Sequence, residues 1–311
     1  MEQNGISMIS ASSVTENSSG SKIKSANIVL SKGNEVQMQI HKVEMSWFKK
    51  LMQEDGTIWD TVLTGLAEMI GTAILVFLGC MGCIGGFSFI PSHLQLTLSF
   101  GLTVMVVIQC FGHISHAHVN PAMTVGAVVV GKKSLQAGLV YLLAQTIGAV
   151  LGYGLLKAMT PHDLLHNGNP NATDTFCVTD LHDKVSAVQG LFAEGLATGI
   201  LTFFACSIWD SRNAKNTDSV ALKFGFAVAV LANTIGPYTG CSMNPVRSFG
   251  PAIWNNQWNH HWIYWFGPLG GALLASLLYR AIFSPKKISE EEAGAEMVAL
   301  NGVETEKLEQ N

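Results

Sequence analysis

The chain has 311 residues, a formal net charge of −4, and 13% charged against 48% hydrophobic residues. Soluble proteins carry roughly 25% charged residues, so this chain has too little charge to cover a soluble surface, and lipid must solvate much of it. The sequence has no basic patch, which argues against nucleic acid as a partner.

Both ends of the chain are polar. Residues 1–57 begin with a stretch rich in Ser, Asn and Lys, and residues 284–311 include three consecutive glutamates. Such segments bury too little apolar area to offset the entropy of ordering, so we predict disorder at the N-terminus and a polar tail at the C-terminus. The membrane part is then 58–283.

Apolar segments in this middle part have two lengths. A spanning helix needs about 20 mostly apolar residues, and six segments satisfy that, at 60–86, 94–113, 135–159, 187–209, 218–236 and 261–283. The segments 119–130 and 244–254 are too short to span. They predict re-entrant half-helices, which stop midway and are buried in protein.

Charge placement gives the orientation. If both termini are cytoplasmic, Lys132, Lys133, Arg212, Lys215 and Lys223 all fall in cytoplasmic loops. This distribution satisfies the positive-inside rule. The loop 160–186 then lies outside, where the sequon at Asn171 predicts a candidate N-glycosylation site.

The chain contains an internal repeat, about 58–159 and 187–283. Its corresponding pairs include Glu68 with Glu194 and Asn120-Pro121 with Asn244-Pro245. Each unit holds three spans, an odd number, so the second copy inserts upside down relative to the first. The fold class predicted is therefore all-α, with six transmembrane helices and two half-helices that meet near the midplane.

The two Asn-Pro motifs predict the start of each half-helix. Asn is a favoured N-cap, and Pro at the first helical position loses no hydrogen bond. Asn120-Pro121 and Asn244-Pro245 thus direct two positive dipole ends at the membrane centre. That arrangement repels cations, hydronium included, and offers amide donors to a passing hydroxyl oxygen.

Here the sequence resembles a known family, the major intrinsic proteins or aquaporins. The resemblance rests on His118-Val119-Asn120-Pro121-Ala122 and on Ser242-Met243-Asn244-Pro245-Val246-Arg247, and it covers about 58–283. It implies a right-handed six-helix bundle, one pore per subunit and a homotetramer. The second motif departs from the family pattern, since Val246 stands where Ala is usual.

The resemblance also implies roles for single residues. Arg247 matches the arginine of the outer constriction, and an intramembrane cation marks function by default. Glu68 and Glu194 match glutamates that brace the re-entrant loops. His118 resembles a pore-lining position, whereas for His113 a loop or gating role is equally open. No carboxylate or Cys accompanies these histidines, so we predict neither a metal site nor a cofactor.

The family's outer filter corresponds by spacing to Phe100, Ala232, Cys241 and Arg247. Strict water channels resemble this set, except that a histidine replaces Ala232. A methyl group there predicts a wider filter with an apolar wall that suits the carbon backbone of glycerol. Together with a water-channel pattern elsewhere, this resembles the insect glycerol channels called entomoglyceroporins.

The cysteines allow two interpretations at one place. Cys80 and Cys83 have a spacing found in metal sites, but no second pair accompanies them, so we interpret them as packed thiols. Cys241, at the pore mouth in the family, predicts block by mercurials.

We therefore predict a passive channel for glycerol, water and other small uncharged solutes, including urea, in the lipid bilayer of the cell membrane. Two alternatives stay open: a strict water channel, and a junctional or adhesion protein with a closed pore. The loops hold no paired carboxylates or nucleophile–base constellation, so we do not predict an enzyme.

Overall fold

The computed structural model divides the chain into two compact units, Met1–Gln53 and Glu54–Asn311. It describes residues 51–52, 55–84, 91–165 and 175–284, together with the backbone of five strands in the first unit. These strands are β1 Met8–Ala11, β2 Thr15–Glu16, β3 Lys22–Ile23, β4 Ala26–Leu30 and β5 Val36–Gln39. Strands β1, β4 and β5 form one antiparallel sheet in that order, and β2 pairs with β3.

These strands differ from the disorder predicted for residues 1–57. The strand β4 contains Ile28 and Val29, and β-branched residues favour the extended backbone. The strand pairing is thus limited to short segments that lie close together in the sequence. For the rest of that segment, outside the described residues, disorder stays a prediction.

The described part of the second unit is helical. Its helices are α1 Ile58–Met81, α2 His93–Ser115, α3 Pro121–Val129, α4 Leu135–Met159, α5 His162–Leu165, α6 Ala187–Trp209, α7 Val220–Thr239, α8 Pro245–Asn255 and α9 Ile263–Leu278. A 3₁₀ turn, Ser211–Asn213, follows α6, and a π turn, Tyr279–Phe283, extends α9.

Six of these elements confirm the predicted spans. Helices α1, α2, α4, α6, α7 and the combined α9 and π turn are each long and apolar enough to cross a membrane. Helices α3 and α8 have 9 and 11 residues and correspond to the two short segments. The prediction was wrong at the end of the first span, because α1 ends at Met81 and tight turns follow, in which Cys83 N–H and Ile84 N–H donate to the carbonyls of Cys80 and Met81.

The two repeats pack in the same way. Helix α1 packs on α4 in the first repeat and α6 packs on α9 in the second, while α2 packs on α7 between the repeats. The α2–α7 contact is close at Gly101, where a Cβ atom would overlap the carbonyl oxygen of Gly225 and lie 2.8 Å from Cβ of Ala229. Glycine is therefore required for the helices to approach this closely.

Asp210, which follows α6, links the end of this helix to the π turn that extends α9. Its carboxylate accepts hydrogen bonds from Arg212 Nε at 2.9 Å, from Arg212 Nη2 at 2.6 Å and from the Tyr279 hydroxyl at 2.9 Å. These bonds to Arg212 hold the pKa of the Asp210 carboxyl well below its usual range. The ion pair thus orders the loop after α6, and the hydrogen bond from Tyr279 ties that loop to the π turn.

Two further predictions lie outside the described residues. They are the glycosylation of Asn171 and, apart from Ser284, the tail 284–311. Both stay predictions.

Candidate pore and selectivity filter

Both half-helices begin at an Asn-Pro pair, as the motifs predict. The backbone of Asn120 is extended, with φ −160° and ψ 119°, and its side-chain oxygen accepts from Ala122 N–H at 2.8 Å. The oxygen of Asn244 accepts from Val246 N–H at 3.2 Å and from Arg247 N–H at 3.4 Å. Each amide oxygen is thus used as a cap, which leaves the amide nitrogen to act elsewhere.

Each Asn amide also bonds to the loop of the other repeat. Asn120 Nδ2 donates to the carbonyl of Met243 at 2.8 Å, and Asn244 Nδ2 donates to the carbonyl of Val119 at 2.8 Å. An amide nitrogen carries two hydrogens, so each Asn keeps one more donor. Both side chains line the same cavity, and those donors can therefore serve a molecule inside it.

The loops before the half-helices have an unusual backbone. In the first loop, His116, Ala117 and Val119 have φ of 70°, 46° and 44°. In the second, Gly240, Cys241 and Met243 have φ of 75°, 44° and 51°. Left-handed backbone at non-glycine residues costs about 1–3 kcal/mol each and persists only where the surroundings impose it.

Glu68 supplies that support for the first loop. One carboxylate oxygen accepts from the Ser115 hydroxyl at 2.6 Å and from His118 N–H at 2.9 Å. The other accepts from Val119 N–H at 2.7 Å and from Gln145 Nε2 at 2.7 Å. The side chain is fully buried, and three of these four bonds come from Ser115 and the loop that follows it, while Gln145 of α4 supplies the fourth.

Glu194 repeats the arrangement in the second loop. It accepts from the Thr239 hydroxyl at 2.6 Å, from Ser242 N–H at 2.8 Å and from Met243 N–H at 2.9 Å. A tyrosine hydroxyl completes the match, since Tyr264 donates to the Thr239 carbonyl at 2.9 Å. The inverted repeat thus extends to individual hydrogen bonds.

One cavity, of about 830 Å³, contains the candidate filter. The predicted filter residues Phe100, Ala232, Cys241 and Arg247 all line it, together with both Asn side chains. By contrast, Ala122 and Val246 are fully buried and do not line it. Val246 instead packs in an apolar cluster with Cys80 and Tyr153. The departure from Ala at this position therefore adds bulk behind the pore wall and not inside it.

Arg247 is held between an aromatic ring and a loop carbonyl. Its guanidinium carbon lies 4.6 Å from the centre of the Phe100 ring, within cation–π range. Its Nη1 donates to the carbonyl of Cys177 at 2.8 Å, and its Nη2 lies 3.6 Å from Sγ of Cys177. The loop between the repeats therefore contributes to the filter, which the sequence did not predict.

The interpretation of Cys80 as a packed thiol was wrong. Cys80, in α1, forms a disulfide with Cys177, 97 residues later in the chain. The spacing of the cysteines carries no signal for this pair, because the fold alone brings them together. Cys83 is free, and both Cys83 and Cys177 line the cavity.

The two predicted histidines differ in position. His118 is buried and lines the cavity, where Nδ1 lies 3.1 Å from the Thr124 hydroxyl and the ring packs edge-on against Tyr141. His113 belongs to the last turn of α2 and not to the following loop, and it is exposed while also lining the cavity.

Comparisons with known proteins agree with this architecture. Residues 57–279 match the family model described as "Major intrinsic protein". The chain is 41% identical to aquaporin-4 of Mus musculus over 223 residues, which are 70% of this chain and 67% of the relative. It is 37% identical to aquaporin-2 of Bos taurus over 77% of this chain and 84% of the relative. It thus spans about two thirds of the aquaporin-4 length.

A solved structure has the same fold. The X-ray structure of the aquaglyceroporin from Plasmodium falciparum matches with a TM-score of 0.60 at 23% identity, over 71% of this chain and 96% of that one.

Proposed function

We propose that this chain, which belongs to the major intrinsic protein family of membrane channels, is a passive channel for glycerol and water. The observation that carries the glycerol proposal is Ala232, whose methyl group stands on the cavity wall beside the other filter residues. Its neighbours in the fold, Leu231 and Val228, form an apolar cluster with it. An apolar wall on this side matches the carbon backbone of a polyol.

The polar wall of the filter supplies the hydroxyl partners. Arg247 uses Nη1 on the loop carbonyl and has five N–H donors in total, so further donors remain for a solute. Each glycerol hydroxyl needs such a partner, since a buried hydroxyl without one costs several kcal/mol. The two faces together therefore suit an amphipathic, uncharged solute.

The groups at the membrane midplane account for the proposed exclusion of cations and protons. Two half-helix N-termini meet there, and Asn120 and Asn244 offer only donors to the lumen because their oxygens are used as caps. A water molecule between them accepts from both sides and cannot pass a proton along a chain of donors. Arg247 adds a second positive site at the filter.

The strict water channel is the main alternative. The similarity to aquaporin-4 and aquaporin-2 supports this alternative. A closed-pore junctional protein would need a bulky plug, whereas Val246 packs outside the cavity. We further propose cytoplasmic termini, the cell membrane as location, urea as an additional solute and a homotetramer. The assignment to insect glycerol channels rests on Ala232 and stays a prediction.

The test is flux through purified protein in vesicles. Osmotic swelling would be measured beside uptake of labelled glycerol and urea for the wild type, Ala232→His and Ala232→Ser. We expect the histidine to abolish glycerol flux and to leave water flux. The serine controls for polarity without bulk, and it should keep glycerol flux. A wild type that passes water alone, or glycerol flux that survives the histidine, refutes the proposal.

A further inference from the structure

We propose that the Cys80–Cys177 disulfide is a positioning element of the selectivity filter, because it fixes the backbone carbonyl that holds Arg247 against the pore wall. The disulfide joins α1 to the loop between the repeats. That loop reaches the guanidinium of Arg247 in the second repeat through the Cys177 carbonyl, at 2.8 Å. Helix α1, the loop between the repeats and Arg247 thus meet at one residue, Cys177.

The loop on either side of Cys177 is tied to the bundle. The carbonyl of Phe176 accepts from the Tyr153 hydroxyl at 2.7 Å and from Asn255 Nδ2 at 3.1 Å. Two residues after Cys177, the Thr179 hydroxyl donates to Ser248 Oγ at 2.7 Å. These anchors set the height of the loop above the pore. In the peptide unit that contacts Arg247, the N–H of Val178 donates to the carbonyl of Thr175 at 3.1 Å, a bond within the loop that does not tie the unit to the bundle.

The disulfide fixes that remaining unit. Cys177 has φ 58°, a left-handed backbone that is unfavourable for a residue with a side chain. At its other end the bond is rigid, since Cys80 is fully buried in an apolar cluster with Val76 and Tyr153. Because the acceptor is a backbone carbonyl, it survives any substitution of Cys177, and only its position is at stake.

Loss of the disulfide has a specific consequence for permeation. Once the carbonyl has moved away, the guanidinium keeps, among its contacts with the described residues, the one with Phe100, and it can lean into the lumen toward a passing solute. A narrower filter obstructs glycerol more than water, because glycerol needs the full opening. The glycerol-to-water permeability ratio therefore falls, whereas a merely structural disulfide would lower both fluxes together through the amount of folded protein.

The bond also agrees with the proposed orientation. Disulfides persist in oxidising environments, and the positive-inside rule places the loop 160–186 outside the cell. A free thiol away from the filter, Cys110 in α2, is exposed and does not line the cavity. It offers a matched control, since its removal deletes a thiol without touching the disulfide or the filter.

The experiment compares three disulfide variants in proteoliposomes, Cys80→Ala, Cys177→Ser and the combination of these two substitutions, with Cys110→Ala as the control. Water and glycerol permeabilities are normalised to reconstituted protein, and free thiols are counted after denaturation. We expect the ratio to fall by roughly 2- to 10-fold in all three disulfide variants, the factor that the net contribution of one hydrogen bond corresponds to. The Cys110→Ala protein should match the wild type. A dithiol reductant, which becomes a disulfide as it converts Cys80 and Cys177 to two thiols, should reproduce the fall in the wild type, and reoxidation should reverse it.

A double-variant cycle identifies the route. If the disulfide acts through the guanidinium of Arg247, then removing the disulfide from the Arg247→Ala protein leaves the glycerol-to-water permeability ratio of that protein unchanged. An unchanged or increased ratio in the single variants, or an equal further fall in the Arg247→Ala background, overturns the proposal.

The glycerol measurement rests on the proposed function, and the two ideas can fail separately. If the oxidised wild type passes only water, the proposed function fails. The inference is then judged on water permeability per folded channel, which should fall in the disulfide variants but not in Cys110→Ala.

Discussion

Gly79, in α1, lies directly behind the Phe100 ring of the filter. A Cβ atom at this position would come within 2.6 Å of Phe100 Cδ1 and 3.0 Å of Cζ. Ordinary contact begins near 3.4 Å, so the substitution Gly79→Ala forces the ring to retreat by about 1 Å, with an overpacking cost of about 1–3 kcal/mol. Because α1 stands behind the ring and the guanidinium of Arg247 lies 4.6 Å from its centre, we expect the ring to move toward Arg247 and the lumen.

A ring displaced by this amount narrows an opening that must admit glycerol. We expect Gly79→Ala to reduce glycerol permeability several-fold and water permeability much less. The assay is paired glycerol uptake and osmotic swelling in vesicles, normalised to protein. Gly270→Ala is the matched control, because nothing lies within 4 Å of a Cβ atom there.

A second substitution tests the mechanism. In Gly79→Ala combined with Phe100→Leu, the smaller side chain makes room for the methyl group, and glycerol flux should recover at least to the level of Phe100→Leu alone. Wild-type glycerol flux in folded Gly79→Ala protein would refute the argument. So would a deficit in Gly270→Ala of the same size.

Three further predictions concern the bracing of the second loop by Glu194, the pH dependence of thermal stability and the block of water flux by mercurials. Glu194→Ala leaves the donors of the second loop without their acceptor, at about 1–3 kcal/mol for each buried group, so the melting temperature in detergent should drop more than in Glu194→Gln; equal melting temperatures would contradict the bracing role. The lowered pKa of Asp210 means that the ion pair with Arg212 contributes its full stabilisation above about pH 4, the usual range of an Asp carboxyl, and that this stabilisation declines as pH falls from there toward the lower pKa of the folded state. Thermal stability should therefore decline below pH 4 in the wild type, and less so in Asp210→Asn. Mercurial block of water flux should weaken in Cys241→Ser and vanish only when Cys83 is also replaced, since both thiols line the cavity; full sensitivity of the double variant would show that the target lies elsewhere.

The spans and half-helices were predictable because each has a strong local signal. Apolar length fixes the spans, and a helix cannot start at Asn120-Pro121 without the cap and first-turn chemistry that those residues supply. The repeat then sets which elements correspond. The four filter positions came instead from the resemblance to the family, and they line one cavity.

Contacts made by loops were not predictable. The Cys80–Cys177 pair is separated by 97 residues, and nothing in the sequence links the loop to Arg247. The same limit applies to Val246: the motif shows the departure from Ala, but only the packing of α8 shows that the side chain turns away from the lumen. Sequence patterns report periodicity and caps, whereas loop contacts depend on where distant segments meet.

The reciprocal bonds at the midplane have a consequence for what one repeat can do alone. Asn120 donates to the carbonyl of Met243, and Asn244 donates to the carbonyl of Val119. A single repeat would have an unmatched amide and an unmatched carbonyl in its half of the lumen. Two such units inserted with opposite orientations would satisfy each other, so the smallest conducting entity is an antiparallel pair, and here one polypeptide encodes both members.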